Sequence, residues 1–113
     1  MKNIVRTPGA AQGRCRSVTY GDLVWIVAVG KGGSISEQTQ DMLNLVERLL
    51  AQAGTTTSHI LEATIYLSDM NDKEMMDAIW CDWIPADGWP CRACVGTDLA
   101  PGDLIEIKLV AAV

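Results

Sequence analysis

The chain contains no run of lysine or arginine, no apolar stretch of membrane-spanning length, and only one histidine, His59. Each lack excludes something. With no basic run and a formal net charge of -5, neither nucleic acid nor an anionic membrane is an expected partner. The missing span, and the missing apolar core behind the N-terminus, lead to the expectation of a cytoplasmic protein. A single histidine far from the cysteines leaves a zinc site short of ligands, so no metal is expected. The cysteines (Cys15, Cys81, Cys91 and Cys94) arrive without a secretion signal, which argues against a disulfide framework. Cys91 and Cys94 match C-x-x-C, but on a strand residues three apart point to opposite faces, and small buried hydrophobes are the better account.

What is present is apolar. The 113 residues suit one domain, 1–113, and 49% of them are hydrophobic, more than a small monomer with a wetted surface needs. Part of the surface should therefore be covered by a partner, most simply another copy of the chain.

The pattern along the chain alternates strands and helices. Ser17 to Tyr20 reads as a strand, turned by Gly21-Asp22 into Leu23 to Val29, a run without alternation that suits a strand covered on both faces. Gly30, Gly32 and Gly33 form a loop that lacks the phosphate-binding patterns. Ser34 and Glu37 form a capping box for a helix carrying Met42, Leu43, Val46, Leu49, Leu50 and Ala53 on one stripe, ended by Gly54. A strand follows through about Glu62 to Leu67, with Ala63, Ile65 and Leu67 on one face. A second helix starting near Asn71 presents Met76, Ile79, Trp80 and Trp83, and Pro85, Gly88 and Pro90 end it. Strands over Pro90 to Val95 and Leu104 to Val110 complete the order β-β-α-β-α-β-β, with a short extra strand open at Ile4-Val5. The expected architecture is α+β, one sheet with both helices on one face and the other face awaiting other subunits.

Arg92 stands out, because it lies within the apolar segment Pro90-Cys91-Arg92-Ala93-Cys94-Val95. A guanidinium among apolar neighbours is costly unless an anion or a ring of acceptors receives it. Cys94 shares its face, and Glu106 lies on the last strand, which is expected to pair beside it. Arginine with a nearby glutamate suits a small carboxylate ligand, the glutamate orienting or deprotonating a water. The same pair also suits a salt bridge at a subunit interface. Trp89, in the loop ahead of Arg92, either walls a pocket or anchors the loop. Lys108 reads as an edge charge or half of an interchain ion pair.

Several segments resemble the Rid family, the YjgF-like enamine/imine deaminase group. They are Gly21-Asp22-Leu23-Val24, Gln38-Thr39, Ala51-Gln52-Ala53-Gly54, Ala63 to Leu67 with Asp69 to Asp72, and above all Arg92-Ala93-Cys94-Val95, Leu99-Ala100-Pro101-Gly102 and Ile105-Glu106-Ile107. The resemblance implies a chorismate-mutase-like fold and a homotrimer with a central β-barrel and three clefts between subunits. It further implies cofactor-free hydrolysis of small 2-imino acids to 2-oxo acids and ammonia. Arg92 would grip the substrate carboxylate, while Glu106 and the backbone carbonyl of Cys94 position water. Arg14 falls where the deaminases carry a tyrosine, Val27-Ala28-Val29 where they carry Ser-Gly-Gln, and Asp77 where they carry an asparagine. The short N-terminus and the ending Glu106 to Val113 look more like the YoaB-like branch of the family. A non-catalytic trimer that binds a small carboxylate is the alternative.

Overall fold

The computed structural model describes residues 2–113. Six strands and two helices alternate: β1 (Ile4–Pro8), β2 (Cys15–Tyr20), β3 (Leu23–Val29), α1 (Ile35–Ala53), β4 (Ile60–Leu67), α2 (Lys73–Trp83), β5 (Cys91–Gly96) and β6 (Ile105–Ala112). This is the expected α+β order with the extra N-terminal strand added. Ile4 and Val5 pair antiparallel with Tyr20 and Thr19, so β1 extends the sheet by one edge strand.

The strands form one sheet in the order β1-β2-β3-β6-β4-β5. All neighbours are antiparallel except β4 and β5, which run parallel and are joined through α2. That crossover is what a parallel pair requires. β6 pairs with β3 and β4, so the last strand enters the middle of the sheet rather than lying beside β5. The sequence-based pairing of the Arg92 and Glu106 strands is thereby corrected. Since the α2 crossover leads β4 directly into β5, the site beside β4 that remains for the last strand is on its other edge.

Both helices cover the same face. Val24, Ile26 and Ala28 of β3, Ala63, Ile65 and Leu67 of β4, and Ile105, Ile107, Leu109 and Ala111 of β6 bury their side chains there. Met42, Leu43, Val46, Leu49 and Leu50 of α1 and Met76 and Trp80 of α2 meet them. The period-2 and period-3.6 stripes read from the sequence are the two sides of this core. On the other face, Trp25 and Val27 of β3 are 38% and 43% exposed, so the apolar excess of β3 is left open in the single chain.

Local chemistry fixes the helix ends. Ser34 Oγ accepts the Glu37 N–H at 3.1 Å, as the capping box requires. Gly54 ends α1 at φ 86°, and the N–H groups of Gly54 and Thr55 donate to Ala51 and Leu50 carbonyls. The second helix starts two residues later than the sequence suggests. Asp69 Oδ1 accepts the Asn71 N–H at 2.9 Å and tightens Met70–Asp72 into a 3-10 turn, delaying α2 to Lys73.

A buried glutamine locks the loops at one end of the sheet. Gln38 Nε2 donates to the carbonyls of Gly32 and Gly102 at 3.0 and 2.9 Å, and its Oε1 accepts the Leu104 N–H at 2.9 Å. The close approach of β3 to this turn of α1 needs Gly30, because a Cβ there would lie 1.9 Å from the Gln38 carbonyl oxygen. Gly30→Ala is expected to cost roughly 2 kcal/mol or more, since backbone must shift. Urea unfolding checks this: a lowered midpoint at unchanged slope is the expected result, and an unchanged midpoint contradicts the packing described.

Candidate functional site

Arg92 is held by α2. Its side chain, 18% exposed, leaves β5 on the helix-covered face and donates from NH2 to Asp77 Oδ1 at 2.6 Å. NH1 lies 3.7 Å from Met76 Sδ, a weak acceptor, and the guanidinium carbon sits 5.3 Å from the Trp80 ring centroid. The other oxygen of Asp77 takes Lys73 Nζ at 2.6 Å, one helical turn back on α2. Helix spacing thus brings three side chains of α2 (Met76, Asp77 and Trp80) to one arginine on β5, with Lys73 on the far oxygen of Asp77.

Burial pushes the Asp77 carboxyl up, but hydrogen bonds from Lys73 and Arg92, with their charges, outweigh it and hold the group below its ordinary value. Cys94, two residues from Arg92 on the same face of β5, is half-buried. Burial raises its thiol pKa despite the nearby Arg92 charge, so it carries no activated thiolate. Cys91 is exposed on the opposite face, as its spacing implies, and Cys81 on α2 is exposed too, so neither is the small buried hydrophobe the sequence suggested.

The anion that Arg92 needs is therefore supplied in part by its own chain. One guanidinium N–H meets a carboxylate and another meets only a thioether, so the donor set is not saturated. Among the described residues the single buried side-chain polar atom without a partner is Thr39 Oγ1, so Arg92 Nε, which makes no hydrogen bond, is not sealed from solvent.

The other sequence-predicted residues are distributed differently. Glu106 alternates with the buried Ile105 and Ile107, which turns it to the open face of the sheet, away from Arg92. It pairs with Tyr66 and Val29, two strands and roughly 10 Å from β5. Within one chain, Arg92 and Glu106 thus lie on opposite faces. Arg14 is in the loop between β1 and β2, at the far side of the strand order, where it donates to the Gln12 carbonyl at 3.4 Å. Trp89 is 78% exposed and, with Trp80, Cys81, Ile84 and Pro90, lines a shallow depression of about 250 Å3. Arg92 is not among those lining residues, although Trp80 serves both places. Lys108 is exposed on the open face between Val27 and Thr64. Among the described residues no cluster of three His, Cys, Asp or Glu side chains is arranged to hold a metal, and no helix is long and apolar enough to cross a membrane.

Lys73, Met76 and Trp80 are parts of the site that reading the sequence for function missed. The Lys73-Asp77 spacing of four residues was the available signal, and it specifies an ion pair without naming Arg92 as a third member.

Comparison with known proteins agrees with the fold. Residues 23–113 match the family model described as Endoribonuclease L-PSP. A RutC family protein from Haemophilus influenzae is 40% identical over 76 residues, 66% of this chain and 66% of that protein. RutC family protein YoaB from Escherichia coli strain K12 is 41% identical over 78 residues, 68% of each chain. The crystal structure of a YjgF family member from Neisseria meningitidis aligns with a TM-score of 0.91 at 35% identity, covering 97% of this chain and 94% of that one. The chain belongs to the Endoribonuclease L-PSP family, the group of the YjgF, RutC and Rid proteins, as its sequence resemblance implied.

The depressed Asp77 carboxyl has a consequence for stability. Its folded-state pKa lies below the ordinary aspartate value of 3.8, so its contribution is complete above that pH and disappears as pH falls through the lower folded-state value. Asp77→Asn lacks this component. The stability gap between wild type and variant is expected to shrink from about pH 5 to about pH 2.5 in urea titrations; a gap independent of pH contradicts the ion-pair account.

Proposed function

We propose that this chain hydrolyses small 2-imino acids to 2-oxo acids and ammonia in clefts formed between copies, with Arg92 gripping the substrate carboxylate. The observation that carries this reading is the partly engaged guanidinium of Arg92. It is fixed by Asp77, Met76 and Trp80, yet it keeps N–H donors without a protein acceptor. A bound carboxylate takes those donors in charge-assisted hydrogen bonds.

Glu106 enters from a neighbouring copy. Arg92 and Glu106 of one chain face opposite ways, so they meet only if the open sheet face of one copy packs against the β5 edge of another. The apolar side chains Trp25 and Val27 on that face support such burial, and a closed ring of three copies satisfies every face alike. In the cleft, Glu106 takes a proton from water as its oxygen adds to the imine carbon. The proton then passes to the nitrogen, and the carbon–nitrogen bond breaks as the new hydroxyl gives its proton to Glu106 and becomes the carbonyl, so that ammonia leaves. β5 is an edge strand, so alternate backbone groups on its outer side lack a strand partner, and the Cys94 carbonyl is the one assigned to hold the water. No electrons change hands and no cofactor is required. The family model's description names an endoribonuclease, but a net charge of -5 without a basic run disfavours RNA as substrate.

A second reading, a trimer that binds a carboxylate without catalysis, is favoured by the separation of Glu106 from Arg92 within each chain. One experiment separates the two. Ammonia release is followed while an amino-acid oxidase generates imine in situ. Wild type is expected to accelerate it, and Arg92→Ala and Glu106→Gln are each expected to lose most of the acceleration. Co-expression of the two variants should restore activity in about a quarter of the clefts, because one arrangement of neighbours keeps both native residues. No acceleration by wild type sinks catalysis, whereas active wild type with no recovery in mixed oligomers contradicts a site shared between copies.

A further inference from the structure

We infer that Asp77 sets the charge selectivity of the Arg92 site, admitting monocarboxylates and zwitterions and opposing dicarboxylates. The inference rests on the reading of Arg92 as carboxylate anchor and goes beyond it by naming which ligand charges the anchor accepts. Asp77 lies between two cations, one on each carboxylate oxygen: Arg92 NH2 and Lys73 Nζ, both at 2.6 Å. With both oxygens engaged, this carboxylate is fixed beside the guanidinium rather than swinging free.

Two cations around one carboxylate leave a single net positive charge, and that decides what the site accepts. One ligand carboxylate neutralises this cluster, and the neighbouring copy's Glu106 brings a further negative charge to the cleft. A second ligand carboxylate would bring excess negative charge into a half-buried place where Asp77 already supplies one, and in the reduced dielectric there like charges are poorly screened. Lys73, 44% exposed, has its charge partly offset by Asp77, which weakens what it offers to that second carboxylate. A protonated 2-imino acid suits the arrangement, since it carries a positive nitrogen next to its carboxylate and adds no net charge. Replacing Asp77 with asparagine keeps an oxygen for one cation but removes the negative charge, leaving two uncompensated positive charges.

The test is calorimetric titration of the full-length protein with pyruvate and with 2-oxoglutarate. Wild type is expected to bind pyruvate more tightly. Asp77→Asn is expected to strengthen 2-oxoglutarate binding roughly tenfold and pyruvate binding by less. Lys73→Met, a change at a half-exposed position, is expected to move the other way, weakening 2-oxoglutarate more than pyruvate. If the pyruvate to 2-oxoglutarate affinity ratio is the same in all three proteins while Arg92→Ala abolishes binding, charge selection by Asp77 is overturned and the carboxylate anchor stands. If neither acid binds wild type or Asp77→Asn, the anchor itself is overturned and this inference goes with it. Should Asp77→Asn fail to fold, an unchanged ratio in Lys73→Met is enough to overturn the proposal.

Discussion

Two helices cannot cover both faces of a six-stranded sheet, and here both pack on the same one. Strand alternation then divides the chain's chemistry between two environments. Residues in step with Ile105 and Ile107 go under the helices, and residues out of step with them, Glu106 among them, go to the open side. Arg92 goes under, where α2 reaches it. The separation of Arg92 from Glu106 is a consequence of this sidedness. It makes the open face something a second copy must complete if the two are to act together.

Within the covered side, Arg92 is held by an arrangement that is stable without being saturated. A guanidinium at 18% exposure needs a counter-charge, and Asp77 provides it through one oxygen while Lys73 holds the other. Trp80 gives the cation an aromatic floor. An arginine whose donors were all satisfied would be a structural residue and nothing more. Partial engagement leaves it oriented, charged and able to accept one more anion, which is the condition a carboxylate anchor has to meet.

Much of this was legible in the sequence, for identifiable reasons. β3 is apolar at every position, so its seven residues and its two-sided character follow from composition alone. Ser34, Glu37 and Gly54 mark the ends of α1 by capping chemistry that is local to the chain. The family resemblance is concentrated in the last two strands, and the matching relatives and structures agree with it. Non-local features were not legible. Nothing in the residues says that β6 inserts between β3 and β4, and assuming that successive strands are neighbours placed Glu106 beside Arg92 wrongly. Likewise, Gln38 reads as a polar residue in a helical first turn, and only the fold shows that it joins Gly32, Gly102 and Leu104. The role of Asp77 depended on the α2–β5 contact, which periodicity does not encode.

The central claim is that a ligand carboxylate sits on Arg92 in a cleft completed by another copy's Glu106. A crystal structure of the protein soaked with a 2-oxo acid tests it most directly. The account predicts carboxylate density on the free donors of Arg92, with Asp77 still at its other side and a neighbouring copy's Glu106 carboxylate within hydrogen-bond reach of the ligand. Ligand density elsewhere, or an assembly in which no neighbouring Glu106 approaches Arg92, would contradict it.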